Sequence, residues 1–210
     1  GPRALCEALL EGIKRMQPEQ GIRIVLLNQF DLVLTTELGP IELELDAKRA
    51  PIATRNFVRY VDQRRFDGIT FYRAMKLPWG DQPNGLIQTG ARGDPKRVRA
   101  PIAHEPTTQT GLSHTSGTIS LARGAPGTAR GDFFIVVGDL VSLDAQTNGS
   151  GDPDGFAAFG RVVEGMDVVG EAADGNEVMQ RVRELAFDVL MLDLSMPGRS
   201  GMELIKLVRA

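Results

Sequence analysis

The chain has 210 residues, with 24 Lys and Arg against 27 Asp and Glu, one cysteine and 42% hydrophobic residues. That is enough chain for a sizeable core, in one large domain or two small ones, and a formal charge of −3 argues against a nucleic-acid or membrane-surface binder, which would carry a basic excess. Cys6 alone allows neither an internal disulfide nor a multi-cysteine zinc site, and no apolar run approaches the ~18 residues a membrane span needs. Ten of the twelve aromatic residues lie between Phe57 and Phe159, whereas five of the seven methionines lie from Met166 onward. That asymmetry predicts two segments of different character.

Gly1-Pro2 looks like the scar of a cleaved tag, with no leader-like sequence after it. Leu5, Leu9, Ile13 and Met16 recur at spacings of three and four, predicting an amphipathic helix over 3–16 that Pro18 and Gly21 end. Ile22–Leu27 reads as a short β-type run. From Asp31 to Val169 short β-rich runs alternate with turn residues: Leu32–Glu37, Ile41–Leu45, Ile69–Arg73, Leu86–Thr89, Gly117–Ala122, Phe133–Val137 and Ala158–Val163. This is the spacing of an antiparallel barrel or sandwich, with Leu38-Gly39-Pro40 as the turn joining the first two runs. One helix starts at Ala50-Pro51, with proline at its first position, and Ile52, Ala53, Phe57 and Val61 share its inward face, predicted to plug or cap the barrel. Three Gly/Pro/Asp-rich loops, Lys76–Gly85, Gly90–Thr110 and Gly138–Gly155, are longer than ordinary connections, as functional loops often are.

After Met166 the rhythm becomes βαβα. Val168-Val169 is a short strand, 176–185 a helix with Val178, Val182 and Leu185 inward, and Asp188–Leu194 a nearly continuous apolar strand. Ser200 and Glu203 open a last helix through Val208 as a capping box. The alternation is that of a parallel sheet covered by helices, with too few strands to complete one.

The central segment, about residues 31–169, resembles the cyclophilin family of peptidyl-prolyl cis–trans isomerases. The resemblance is carried in family order by Phe71-Tyr72-Arg73, Leu86-Ile87-Gln88-Thr89-Gly90, Gly117–Arg123, Gly131-Asp132-Phe133-Phe134-Ile135 and Phe159–Met166. It implies a mainly β fold, a closed eight-stranded antiparallel barrel with two capping helices. It implies isomerisation of X–Pro bonds in peptides or unfolded proteins, without cofactor or metal. By motif position Arg73 matches the catalytic arginine and Gln88 the glutamine that holds the substrate backbone. Phe134 matches the floor of the proline pocket, Leu86 stands where methionine is usual, and Ala122 with Arg123 matches the strand edge that pairs with the peptide. Phe156 replaces the usual histidine of the pocket wall; Gly85, Arg123 and Asp132 are further departures, for phenylalanine, asparagine and glutamine. A catalytically weak proline-peptide-binding or chaperone module is the alternative that the altered wall favours.

The tail, about 168–210, resembles part of a response-regulator receiver domain, through Val168–Gly175 and Val189–Gly201, and places Asp193 at the phosphoacceptor position. Asn28-Gln29 stand where the acidic pair that holds Mg²⁺ belongs, so a strand-end Asp in a fragment is the preferred reading of Asp193. The expected organisation is therefore 1–30 as tag scar, amphipathic helix and short strand, 31–167 as the cyclophilin-like domain, and 168–210 as a partial receiver-like segment that does not signal, in an engineered or recombined chimera. The exposed half-sheet of that tail is expected to favour self-association; no nucleic acid or membrane is expected as a partner. The compartment stays open between the cytoplasm, which is favoured, and a bacterial periplasm reached by a removed signal peptide. His104 and His114 are too few for a metal site without nearby partners, and neither has an evident Ser or Cys nucleophile beside it.

Overall fold

A computed structural model of the chain describes residues 23–26, 30–36, 39–78, 84–146, 152–165 and 174–184. The helix expected over 3–16, the strands at 168–169 and 188–194, Asp193 and the last helix lie outside the described residues.

Among the described residues there are eight strands: β1 Arg23–Leu26, β2 Asp31–Thr36, β3 Gly39–Leu45, β4 Arg73–Lys76, β5 Gly85–Gly90, β6 Thr118–Leu121, β7 Asp132–Val137 and β8 Ala157–Glu164. They form one antiparallel sheet in the order β1-β2-β3-β8-β6-β7-β5-β4. Strand β3 shows why these runs become strands: Ile41, Leu43 and Leu45 enter the core, while Glu42 and Glu44 between them stay half-buried or exposed, the period-two alternation of a sheet with one wet face. Opposite it, Leu32 and Leu34 of β2 join the same core, in register with Leu43 and Ile41.

The sheet curls around helix α1, Pro51–Asp62. Phe57 is the hub, its ring 5.2 Å from Phe66, 5.0 Å from Phe133 of β7 and 5.2 Å from Phe159 of β8. Tyr60 stacks on Phe66 at 4.9 Å, and its hydroxyl accepts the Arg99 N–H at 2.7 Å. Gly131 passes so close that a Cβ there would lie 2.4 Å from Tyr60 Cε1. Ala50 offers no side-chain cap. The fully buried Glu105 carboxylate caps α1 from 50 residues away instead, accepting the Ile52 N–H at 3.1 Å and the Ala53 N–H at 2.7 Å. A carboxylate there satisfies two orphan donors and complements the positive end of the helix dipole.

Three expectations need correction. The closed barrel is found, among the described residues, as a half-barrel: β1 and β4 stand at the two ends of the strand order. Both are four residues long, and Arg73, Ala74 and Lys76 of β4 are exposed, a short, charged edge of the kind that resists further pairing. The run expected over Ile69–Arg73 becomes a strand only from Arg73, because the chain turns at Gly68 with φ 72°; Ile69 is spent on the core. On α1, Ile52 is exposed and Tyr60 takes the inward place. The buried face is centred on Phe57, and at ~100° per residue Ile52 lies about 140° around the helix from it.

Two short helical turns follow, α2 Thr107–Thr110 and a 3₁₀ turn Val141–Leu143. Helix α3, Gly175–Glu184, appears where a helix over 176–185 was expected, with Val178 buried. Asp174 starts it, its Oδ1 accepting the N–H groups of Asn176 and Glu177 at 2.7 and 3.0 Å.

Candidate active site

On the inner face of the sheet, Ile119, Leu121 and Phe133 point at α1 and the main core. Their neighbours in sequence necessarily point the other way. Across β4, β5, β7 and β6 the register partners Arg73, Gln88, Phe134 and Ser120 therefore form one row on the outer face. One row over, Met75, Leu86 and Val136 are partners in the same sense. The two rows carry a second apolar cluster, in which Leu77, Leu86, Phe134, Val136 and Leu140 are buried and Met75, Ala122, Leu143 and Phe156 pack against them. Phe156 meets Phe134 edge-on at 5.4 Å. Leu86, Ala122, Phe134 and Phe156, picked out by motif position in separate stretches of the chain, thus share one apolar surface.

The polar side of the row is a chain of hydrogen bonds. Arg73 Nη1 donates to Gln88 Oε1 at 3.2 Å, Gln88 Nε2 donates to the Tyr72 hydroxyl at 2.9 Å, and Tyr72 donates to Asp132 Oδ1 at 3.0 Å. Burial, aided by the adjoining Asp132 carboxylate, pushes the Tyr72 phenol up to about 12, so it stays a donor to Asp132 at neutral pH. That fixes the Gln88 amide with its oxygen towards Arg73. Arg73 itself is exposed, and among the described residues no carboxylate pairs with it, so its remaining N–H donors face solvent beside the apolar surface.

The Arg123 side chain is tied up within the fold. It is only 4% exposed and pairs with Asp152 at 2.7 Å. It also donates from Nε to the Gly155 carbonyl at 2.9 Å, again from Nη2 to the same carbonyl, and from Nη1 to the Gly124 carbonyl at 2.8 Å, and its guanidinium lies 5.1 Å over the Phe156 ring. The side chain is consumed in clamping the 152–156 loop and holding Phe156 in the apolar wall. The backbone before it is engaged too: Ala122 N–H donates to Asp132 O at 2.9 Å.

Behind Phe134 lies a network that sequence reasoning missed. His114, fully buried, stacks on Phe134 at 6.0 Å. Its Nε2 is 3.0 Å from Ser120 Oγ and its Nδ1 2.5 Å from Asp144 Oδ1. Asp144 also accepts the His114 N–H at 3.0 Å and the Ser113 hydroxyl. A serine does therefore stand beside His114, contrary to expectation, in the order of a nucleophilic triad. Ser120 is fully buried, which closes its Oγ to a substrate carbonyl, so the arrangement fixes the Phe134 ring from behind. Its partners lie 6 and 30 residues from His114, and nothing local in the sequence marks them.

Burial works to raise the Asp144 pKa, but the hydrogen bonds from His114 and Ser113 outweigh it and hold the carboxyl below its ordinary range. A carboxylate favoured by the fold contributes stability above its ordinary pKa, about 4, and that contribution is lost as pH falls through the lower folded-state value. Asp144→Asn is therefore expected to cost about 1–3 kcal/mol at pH 7, measured by urea unfolding, with the gap to the wild type narrowing towards pH 3. A gap that stays constant or widens with acid would contradict this role. No group of three or more His, Cys, Asp or Glu able to hold a metal ion occurs among the described residues.

Known proteins supply the class. The family model described as cyclophilin type peptidyl-prolyl cis-trans isomerase/CLD matches residues 31–189. A peptidyl-prolyl cis-trans isomerase of Acinetobacter baylyi is 37% identical over 145 residues, 67% of this chain and 70% of that protein. Peptidyl-prolyl cis-trans isomerase A of Dickeya dadantii is 37% identical over 141 residues, 65% of this chain and 67% of that protein. The crystal structure of a Cryptosporidium parvum cyclophilin type peptidyl-prolyl cis-trans isomerase shares the fold with a TM-score of 0.51 at 21% identity, covering 65% of this chain and 78% of that one. The same protein, solved in the presence of the dipeptide Ala-Pro, matches with a TM-score of 0.51 at 22% identity, over 65% of this chain and 80% of that one. Fold and matches define an enzyme that rotates prolyl peptide bonds. The chain belongs to the cyclophilin family of peptidyl-prolyl cis–trans isomerases.

Proposed function

We propose that the outer-face row binds an X–Pro peptide, from a flexible peptide or an unfolded protein, with the proline ring on Leu86, Phe134 and Phe156 beside Ala122, and with Arg73 and Gln88 on its backbone. The task is rotation about a C–N bond whose barrier is ~18–20 kcal/mol because amide resonance must be broken. No bond is made or cut. Unaided, the bond isomerises in tens to hundreds of seconds, so a 10⁴–10⁵-fold acceleration needs about 5–7 kcal/mol of transition-state preference. As the amide twists, its nitrogen pyramidalises and gains a lone pair while the carbonyl loses resonance. A guanidinium N–H aimed at that nitrogen is worth more in the twisted state than in the planar one, which is the requirement for catalysis. Gln88, held by Tyr72, fixes the backbone so that rotation occurs about one bond, and the apolar floor holds the ring still.

The observation that carries this reading is the row itself: an exposed arginine with no acidic partner among the described residues, tied to an oriented glutamine, beside a floor of Leu86 and Phe134. The Cryptosporidium parvum structure solved in the presence of the dipeptide Ala-Pro supports the ligand class. Amide NMR on the labelled protein titrated with an Ala-Pro peptide tests it. Shifts are expected to cluster at Arg73, Leu86, Gln88, Ala122 and Phe134; saturable shifts confined to another face would overturn the placement. Arg123 enters as the residue that positions Phe156.

Beyond residue 167 the division of the chain into a separate receiver-like segment, with Asp193 at its phosphoacceptor position, in a recombined chain, rests on sequence resemblance. Helix α3 stands where a helix was expected, but it does not distinguish such a segment from an extension of the cyclophilin-like part. The cyclophilin family model reaches into the same stretch, to residue 189.

A further inference from the structure

The outer-face row runs on into a cleft that bond rotation does not use. From Gln88, β5 continues to Gly90 and the chain to Ala91 and Arg92, and beside it opens a cleft of about 280 Å³ whose walls include Ile69, Tyr72, Gly90, Arg92, Asp94 and Arg97. Tyr72 belongs to cleft and active row alike. Its hydroxyl accepts from Gln88 Nε2 at 2.9 Å, and the Arg92 guanidinium lies 5.3 Å over its ring. Leu86 and Gly90 are four residues apart on one strand, ~13 Å at ~3.3 Å per residue, so an extended peptide with its proline on Leu86 covers the distance to the cleft within about four residues.

The cations of the cleft differ in what they face. Arg97 donates to the backbone carbonyls of Arg65 and Asp67 at 2.9 and 2.7 Å and pairs with Asp94 at 3.5 Å. Asp132 Oδ1 receives the Tyr72 hydroxyl and the Arg92 N–H at 3.0 and 2.7 Å. The second of these bonds anchors Arg92 at φ 48°, a region residues with a Cβ seldom occupy. The Arg92 guanidinium is thereby held over Tyr72, and among the described residues no carboxylate pairs with it. Arg97 is neutralised by Asp94; Arg92 is the cation left over.

We propose that this cleft is a specificity subsite for an acidic side chain, Asp or Glu, of the substrate peptide, with Arg92 as the residue that pairs with it. The inference rests on the peptide placement proposed above. A carboxylate entering there meets a guanidinium pre-positioned on an aromatic face. A lysine would be repelled by the same group and a glutamine would gain only a neutral hydrogen bond.

The test uses X–Pro peptides that differ only in carrying Glu, Gln or Lys at one of the four positions on either side of proline. Both kcat/KM and the calorimetric Kd are measured at low and high salt. At one position Glu is expected to exceed Gln by about three- to fivefold, the yield of a partly exposed ion pair, and Lys by more, with the gaps shrinking in salt. Arg92→Gln brings the Glu-to-Gln ratio to about one, and Arg92→Glu reverses the preference towards Lys. A ratio of one at every position in the wild type, or a Glu preference that survives Arg92→Glu, overturns the proposal. The all-neutral peptide reports bond rotation separately, and the Kd ratio reads the subsite whatever the turnover.

Discussion

Arg73→Ala is expected to lower kcat/KM for an X–Pro peptide by about 10²–10³, the usual effect of removing one directed donor from a developing charge, while leaving the protein as stable as before. Both halves follow from its place in the structure. Arg73 is exposed at the start of β4, an edge strand, and its side chain makes one hydrogen bond, to Gln88. Deleting it leaves the Gln88 oxygen to water, and surface substitutions of this kind stay within about 0.5 kcal/mol. Arg73→Lys keeps the charge but loses the fork that reaches Gln88 and substrate together, so it is expected to recover only part of the rate. A protease-coupled peptide assay gives the rates and a thermal melt gives the stability. Unchanged rates in Arg73→Ala would remove Arg73 from the mechanism and leave the isomerase standing on other groups.

Phe134→Ala is expected to cost both stability and rate. Its ring is 3% exposed, packed between His114 on one side and Phe156 on the other, and truncating such a phenylalanine costs ~3–5 kcal/mol. In a chain of this size that lowers Tm by roughly 6–20 °C. The same ring is the floor on which the proline is proposed to rest, so KM is expected to rise. Phe134→Leu separates the two effects. It restores most of the buried apolar volume and therefore most of the stability, yet lacks the flat face that stacks on His114. A Phe134→Leu variant with wild-type KM would show that the proline ring rests elsewhere.

Much of this was legible in the sequence because it rests on local periodicity. The alternation of Ile41, Leu43 and Leu45 with Glu42 and Glu44 marks a strand with one wet face, and Pro51 followed by Ala53 and Phe57 marks the start and inward face of α1. The opposite directions of Phe133 and Phe134 follow from the same period, and with them the separation of core from pocket. Arg73, Leu86, Gln88 and Phe134 come from motif positions, and the strand register brings them together. What escaped depends on contacts between residues far apart in the chain. The Arg123 guanidinium's hold on Gly155 and Asp152, about 30 residues on, has no local sign in the sequence. His114 reads as isolated until Asp144 and Ser120 fold onto it. Glu105 gives no local sign that it caps a helix 50 residues earlier. Barrel closure escaped for a related reason: it depends on whether two terminal strands meet, and no single strand's pattern encodes that.

The most direct measurement of the central claim is NMR exchange spectroscopy of an X–Pro peptide with a trace of the protein. Cis and trans resonances are predicted to interconvert at a rate proportional to protein concentration, far above the unaided one, with the cis-to-trans ratio unchanged because a catalyst lowers the barrier without moving the equilibrium. Exchange no faster than in the peptide alone would contradict the account.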